Sequence, residues 1–329
     1  MSSEALLDIR GLTVDYKSSG KEVHAVRNLS LCVNSGETLG LVGETGAGKT
    51  TTALSVLGIL PEVSARIISG EILFCGDDLL LKKSKEMRSI RGQDIAMIFQ
   101  DPMTSLDPVM TVGAQIVEMI RLHSNVSRGK ARSMAENMLE LVGIRKERFN
   151  DYPHQFSGGM KQRVGIAIAL SCNPKLLIAD EPTTALDVTI QAQVLDLMKD
   201  LKRKYDTALI LITHDLGVVA EICNKVAIMY SGEVIEYGTV EDIFNDYKHP
   251  YTEGLFNSIP DIDSDHSQLS VIEGLAPDPT NIPFGCPFHP RCPYAMEKCN
   301  EEVPPVFYLN DSHYVRCFKC GCKTSEAIR

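Results

Sequence analysis

The apolar run Leu39–Val42 leads directly into Gly43-Glu-Thr-Gly-Ala-Gly-Lys49-Thr50, and a helical segment, Thr50–Leu57, follows. This satisfies G-x-x-x-x-G-K-[ST] in the strand–loop–helix context that the pattern requires. The spacing has a chemical reason. Gly43, Gly46 and Gly48 let the backbone curl so that successive N–H groups converge on phosphate oxygens, and the positive end of the following helix adds to the attraction. Lys49 has the reach for β- and γ-phosphates, and the Thr50 hydroxyl can ligate Mg²⁺.

Up to about residue 240, short apolar runs alternate with amphipathic segments. Leu7–Val14, Leu39–Val42, Ile95–Phe99, Leu176–Ala179, Ala208–Thr213 and Val226–Met229 read as strands; Thr50–Leu57, Val188–Tyr205 and Leu216–Ile222 read as helices. Alternation of this kind predicts an α/β fold with a largely parallel sheet. From Thr111 to Gly143 helical periodicity replaces the strands, so a helical insertion over about residues 111–170 is expected within the sheet domain.

The chain has 329 residues, 44% apolar and 23% charged, which excludes wholesale disorder and collagen-like repeats. No stretch approaches the ~18 apolar residues of a spanning helix, and Met1-Ser-Ser-Glu-Ala offers neither the basic nor the apolar region of a signal peptide, so a cytosolic chain is expected. The net charge of −10 argues against a nucleic-acid partner. Residues 241–329 carry a net −7, 10 of the 16 prolines and 6 of the 10 cysteines. Proline at that density cannot sustain long helices or central strands. The expected division is therefore one large domain over 1–240 and a compact, loop-rich extension over 241–329.

Two further patterns carry chemistry. Leu176-Leu-Ile-Ala-Asp180-Glu181 is a buried-strand pattern ending in two carboxylates. Asp180 at the strand tip can orient Mg²⁺, and Glu181 can polarise an attacking water as general base; without a phosphate loop in the same domain, the pair reads equally as a strand ending in solvent. Gln155-Phe-Ser-Gly-Gly-Met-Lys-Gln-Arg163 opens the helical run Val164–Leu170, where Ser157 is a favoured N-cap and Gly158 and Gly159 expose N–H donors, making a second anion site.

That second segment resembles the signature of ATP-binding cassette (ABC) proteins, and the resemblance covers the whole first domain. Phe156 and Met160 replace the usual flanking Leu and Gln, while the Ser-Gly-Gly core is intact. The resemblance implies that Gly43, Glu44, Thr45, Gly46, Ala47, Gly48, Lys49, Thr50 and Thr51 surround the phosphates of ATP. It further implies that Thr50, Gln100 and Asp180 approach Mg²⁺, that His214 contacts the γ-phosphate, that Asp187 of Thr184-Ala-Leu-Asp187 lies at a dimer seam, and that Tyr16 stacks on adenine. In that family the signature of one subunit (here Ser157, Gly158 and Gly159) closes over the triphosphate of another.

Lys248-His-Pro-Tyr-Thr252, Pro283-Phe-Gly-Cys286-Pro-Phe-His-Pro-Arg291-Cys292 and Phe99-Gln-Asp-Pro-Met-Thr-Ser-Leu-Asp-Pro108 look like the ATPases of dipeptide, oligopeptide and nickel importers. Cys286, Cys292, Cys299 and Cys317 are spaced C-x₅-C-x₆-C-x₁₇-C, with Cys320 and Cys322 close behind. Wide spacing lacks the C-x₂₋₄-C pairs of zinc sites and suits a [4Fe–4S] cubane with one cysteine per iron; zinc and a set of reduced thiols are the other two readings, and Cys320 or Cys322 could replace Cys317. Some members of the importer family carry such a cluster, as the resemblance implies. Cys32, Cys75, Cys172 and Cys223 read as small core residues.

Three functions compete: the ATP-hydrolysing motor of an importer, a soluble cassette ATPase acting on nucleic acid or ribosomes, and an iron–sulfur protein with a vestigial cassette. Every catalytic position is present, and there is neither a second cassette nor a coiled coil, so the importer reading is preferred. It implies a peripheral protein on the cytoplasmic face of the membrane, with two permease subunits, a second ATPase subunit (itself or a sister) and, indirectly, an extracytoplasmic solute-binding protein. The cargo, whether dipeptide, longer peptide, nickel or another solute, stays open.

Overall fold

A computed structural model describes residues 5–18, 20–101, 104–184, 187–258 and 272–320. In chain order its strands are β1 (Leu7–Ser18), β2 (Lys21–Val33), β3 (Thr38–Val42), β4 (Ala65–Phe74), β5 (Asp77–Asp78), β6 (Ile95–Ile98), β7 (Leu176–Asp180), β8 (Ala208–Thr213), β9 (Lys225–Tyr230), β10 (Glu233–Thr239), β11 (Phe307–Tyr308) and β12 (Tyr314–Val315). The α-helices are α1 (Lys49–Leu57), α2 (Ser84–Ile90), α3 (Val112–His123), α4 (Arg128–Leu141), α5 (Gly158–Leu170), α6 (Val188–Tyr205), α7 (Leu216–Ile222), α8 (Val240–Asn245), α9 (Pro250–Asn257) and α10 (Glu297–Glu301). They form two compact units, each assembled from separated stretches of chain. Of the described residues, one takes those up to Leu7, Val33–Thr38 and Phe74–Thr213; the other takes those in Asp8–Cys32, Leu39–Leu73 and from His214 on.

The first unit is built on three parallel strands with β7 in the centre, Ile95 opposite Leu176 on one side and Leu176 opposite Ala208 on the other. β7 and β8 are buried at every position, the near-continuous apolar run expected of a parallel strand covered on both faces. Helices α3, α4 and α5 have their N-termini capped by Thr111, Ser127 and Ser157. Gly113 in α3 has no room for a side chain, since a Cβ would stand 2.3 Å from the Phe149 ring.

The second unit departs from the parallel expectation. β3 runs parallel to β9, but β9 and β10 form an antiparallel hairpin, and β12 and β11 continue the sheet antiparallel beyond β10. The hairpin turn is Ser231-Gly232, with φ of 49° and 83°, the geometry of a type I′ turn whose twist matches that of the flanking strands. Strands β2, β1 and β4 form a separate sheet. Within β10 the fully buried Glu236 accepts from the N–H groups of Lys248 (2.6 Å) and His249 (3.1 Å) and lies 3.1 Å from His313 Nε2. A buried carboxylate is tolerable only with its hydrogen bonds satisfied in this way. The longest helix described after residue 240 is the eight-residue α9, entered through Pro250, in keeping with the proline density.

Cys32, Cys172 and Cys223 are half-buried; Cys75 is exposed in a turn at φ 51° and is not a core residue. Ala185, Leu186 and Cys322 lie outside the described residues. Among those described, no helix is long and apolar enough to cross a membrane.

Candidate functional site

In the second unit the fully buried β3 delivers the chain into the glycine-rich loop, and α1 begins at Lys49. Gly43 and Gly48 are obligatory for steric reasons. A Cβ on Gly43 would stand 2.3 Å from the Met229 carbonyl oxygen; one on Gly48, at φ 97°, would stand 2.4 Å from that of Ala25. Lys49 is 7% exposed. Its ammonium folds back over the loop and donates to Gly43 O at 2.6 Å and Glu44 O at 3.0 Å, which holds a cation against the loop. Thr50 is exposed in the first turn of α1. The Tyr16 hydroxyl lies 3.4 Å from that of Thr51, so this aromatic side chain from β1 reaches the first turn of α1.

The first unit carries the acidic pair. Asp180 is the last residue of β7 and is 2% exposed. Glu181 turns away from the strand at φ 45°, a left-handed conformation that costs a non-glycine residue about 1–2 kcal/mol. Its N–H donates to Ile212 O at 2.8 Å, tying the turn to β8. Carboxylate oxygen Oε2 accepts from the Gln100 side-chain amide at 2.8 Å and from the Thr184 hydroxyl at 2.9 Å. Two residues picked out separately in the sequence, Gln100 and Glu181, are thus direct partners.

Ser157 caps α5 with Oγ accepting from Met160 N–H at 3.4 Å. A Cβ on Gly159 would stand 2.4 Å from Ile190 Cγ2, so this glycine is required by the approach of α6. Asp187 sits at the N-terminus of α6 and is exposed; His214 directly follows β8 and is exposed.

In the second unit Cys286, Cys292, Cys299 and Cys317 line one small cavity together with His249, Phe288 and Phe318. Burial pushes the Cys286 thiol up to about 12 and raises that of Cys292; hydrogen bonding to Cys320 raises that of Cys317 and lowers that of Cys320. No disulfide links the described cysteines, and no three His, Cys, Asp or Glu side chains among the described residues are grouped so as to hold a metal ion.

Residues 26–184 match the family model for ABC transporters, and residues 235–299 match that for the C-terminal region of oligopeptide/dipeptide transporters. The oligopeptide transport ATP-binding protein OppD of Bacillus subtilis (strain 168) is 51% identical over 314 residues, spanning 94% of this chain and 88% of that one. The chain belongs to the oligopeptide/dipeptide family of ABC transporter ATP-binding proteins. The dipeptide transport ATP-binding protein DppD of the same organism is 50% identical over 99% of this chain and 98% of its own length. The oligopeptide transport ATP-binding protein OppD of Escherichia coli (strain K12) is 47% identical over 96% of this chain and 94% of its own. Among solved structures, the dimeric ATP-binding cassette MJ0796 in a post-hydrolysis state bound to ADP and Pi matches with a TM-score of 0.65 and 25% identity, over 71% of this chain and 98% of that one.

This ABC protein also uses residues that the sequence patterns passed over. The Arg148 guanidinium lies 4.1 Å over the Phe156 ring and donates to Asp151 (2.8 Å), Gln155 O (2.9 Å) and Met160 Sδ (3.4 Å). Phe156 and Met160 are the two departures from the usual signature, and both rest on this one side chain. Nothing local in the sequence marks Arg148, because its partners fall at irregular separations. Tyr251 and Arg291, seen in the sequence only as parts of a tail resemblance, contact the phosphate loop at Glu44.

Proposed function

We propose that this chain is the ATP-hydrolysing subunit that energises import of dipeptides or oligopeptides through a multi-subunit ABC transporter. The observation that carries the reading is identity of about one residue in two to peptide-transport ATP-binding proteins over nearly the whole length, with the loop, acidic pair and helix cap intact. ATP is the substrate. Lys49 and the loop from Gly43 to Thr51 hold its phosphates, Tyr16 stacks on adenine and His214 contacts the γ-phosphate. Mg²⁺ would be held by Thr50, Asp180 and Gln100, hard oxygen donors of the kind it takes, and supplies charge neutralisation at the phosphates. Glu181, oriented through Oε2 by Gln100 and Thr184, takes a proton from water as the water oxygen bonds to the γ-phosphorus. The bond to the β-phosphate oxygen breaks and ADP leaves.

The reading includes a second ATPase subunit, itself or a sister, whose Ser157, Gly158, Gly159 and Asp187 counterparts face the triphosphate. It also includes two permeases, a solute-binding protein outside the membrane, and a peripheral position on the cytoplasmic face. Residues 1–240 would form the cassette and 241–329 the importer-type extension. The test is uptake. In a host lacking this chain, labelled di- and oligopeptides should fail to accumulate, with recovery by the wild type and not by Glu181→Gln. Normal peptide uptake with lost nickel uptake would overturn the peptide cargo.

We propose in addition that Cys286, Cys292, Cys299 and Cys317 hold a [4Fe–4S] cluster. The donor set suits it: four thiols border one cavity, with no carboxylate among its lining residues. A cubane takes one thiolate per iron, so its ligands stand farther apart than those around a single ion. When bound, it would supply iron–thiolate links between loop segments in place of buried thiols. Anaerobically purified chain should be brown, absorb broadly near about 400 nm and lose that band in Cys292→Ser. Colourless protein with stoichiometric zinc overturns the assignment.

A further inference from the structure

The phosphate loop carries an acid, Glu44, beside the place where a triphosphate must bind. A carboxylate there opposes the ligand by like-charge repulsion. The structure shows what cancels it. Arg291, on the turn between Cys286 and Cys292, grips Glu44 bidentately, Nη1 to Oε2 at 2.8 Å and Nη2 to Oε1 at 3.1 Å. The fork is fully committed: Nη1 also reaches the Tyr230 hydroxyl (3.2 Å), Nε donates to Glu273 O (3.1 Å) and Nη2 to Ile272 O (3.4 Å). The Arg291 side chain is only 7% exposed, against 30% for that of Glu44, so the carboxylate is open to water on one side and held by the guanidinium on the other. Hydrogen bonding to Glu44 strengthens the hold of Arg291 on its proton.

A second contact works on the backbone. Glu44 N–H donates to the Tyr251 hydroxyl at 2.9 Å. In the same peptide plane the carbonyl of Gly43 accepts from Lys49 Nζ at 2.6 Å. A peptide unit is rigid and planar, so fixing its N–H on one side fixes its C=O on the other. Tyr251 thereby decides which way the Gly43 carbonyl faces and where the Lys49 ammonium rests. Tyr251 is fully buried, and its ring packs on Tyr230 (4.6 Å between centroids) and Phe288 (5.4 Å). The clamp is therefore seated in the same apolar cluster that takes in Val42, Cys286 and Cys299.

We infer that Arg291 and Tyr251 are positioning residues for the ATP site. Arg291 neutralises Glu44 and Tyr251 orients the Gly43–Glu44 peptide, so the C-terminal region sets the affinity of the phosphate loop for ATP. This deepens the ATPase reading above and rests on it.

The test is equilibrium binding of MgATP to the full chain, with KM and kcat for hydrolysis measured alongside. Arg291→Gln should weaken MgATP binding about tenfold, while kcat at saturation stays within about twofold. The deficit should shrink as salt is raised, because it is a charge effect. Glu44→Gln combined with Arg291→Gln should recover affinity to within about threefold of wild type, since the repelling charge is gone. Arg291→Lys, which keeps the charge and loses the fork, should fall between wild type and Arg291→Gln. Tyr251→Phe removes one oxygen from an otherwise intact core and should weaken binding about three- to tenfold. Wild-type affinity in Arg291→Gln, or a double variant as weak as Arg291→Gln, overturns the role of Arg291. Should Arg291→Gln fail to fold, Arg291→Lys and Tyr251→Phe decide: wild-type affinity in both overturns the inference, and weakened affinity in both supports it. A wild-type chain that binds no MgATP overturns the ATPase reading itself, an outcome distinct from any of these.

Discussion

Glu181→Gln is expected to bind MgATP like the wild type and to hydrolyse it about 10²–10⁴-fold more slowly, the usual worth of a positioned general base. The substitution keeps size and hydrogen-bonding reach and removes only the ability to take a proton. Three constraints make the role specific to this side chain. Its backbone is held at φ 45°, its N–H is tied to Ile212 O, and Oε2 receives both Gln100 and Thr184. A carboxylate so restrained loses little freedom on reaching the reacting water, which is how orientation lowers a barrier. The bound nucleotide should accumulate in a closed dimer. Phosphate release measured under single-turnover conditions checks the rate, and gel filtration with ATP checks the dimer. Hydrolysis at the wild-type rate would remove Glu181 from the mechanism.

Lys49→Ala is expected to weaken MgATP binding about 100-fold and to bring hydrolysis close to background. Lys49 is the cation that the loop itself supplies, and its ammonium already sits against Gly43 O and Glu44 O. Charge-assisted contacts from such a group to phosphate oxygens are about twice as strong as neutral ones. Alanine at the start of α1 is a good helix former, so the chain should keep its fold. Equal circular dichroism with lost binding by calorimetry would separate this from unfolding. Lys49→Arg should not restore hydrolysis, because a broad planar fork does not replace a compact point charge in a turn this narrow. Near-normal turnover in Lys49→Ala would contradict the assignment of the loop.

The elements that place the nucleotide residues are written locally. β8 runs from Ala208 to Thr213, α6 from Val188 to Tyr205 and α7 from Leu216 to Ile222, where continuous apolar content or helical period announces them. β2, β4 and β10 escape such a reading for physical reasons. β4 leaves four consecutive positions exposed in its middle, and β10 buries two glutamates, Glu233 and Glu236, whose partners come from elsewhere in the chain. The same limit governs the site. Short motifs pick out the residues proposed to touch phosphate, since that chemistry dictates type and spacing together. They miss Arg148 and leave the work of Tyr251 and Arg291 unassigned, since an arginine or tyrosine that supports a loop from a distance obeys no local period. The cysteines are intermediate: their spacing is visible, while the cavity that four of them share is a property of the folded chain.

Glu44 and Arg291 are 247 positions apart. A version of this protein cut shortly after β10 would retain all the short patterns associated with nucleotide use and would be judged complete by any inspection of them. It would nevertheless carry a bare negative charge at the mouth of its fuel port and an untethered hinge beneath its lysine. If the inference about Arg291 and Tyr251 holds, the motor of this chain is not a portable part; whoever transplants it must bring the tail along.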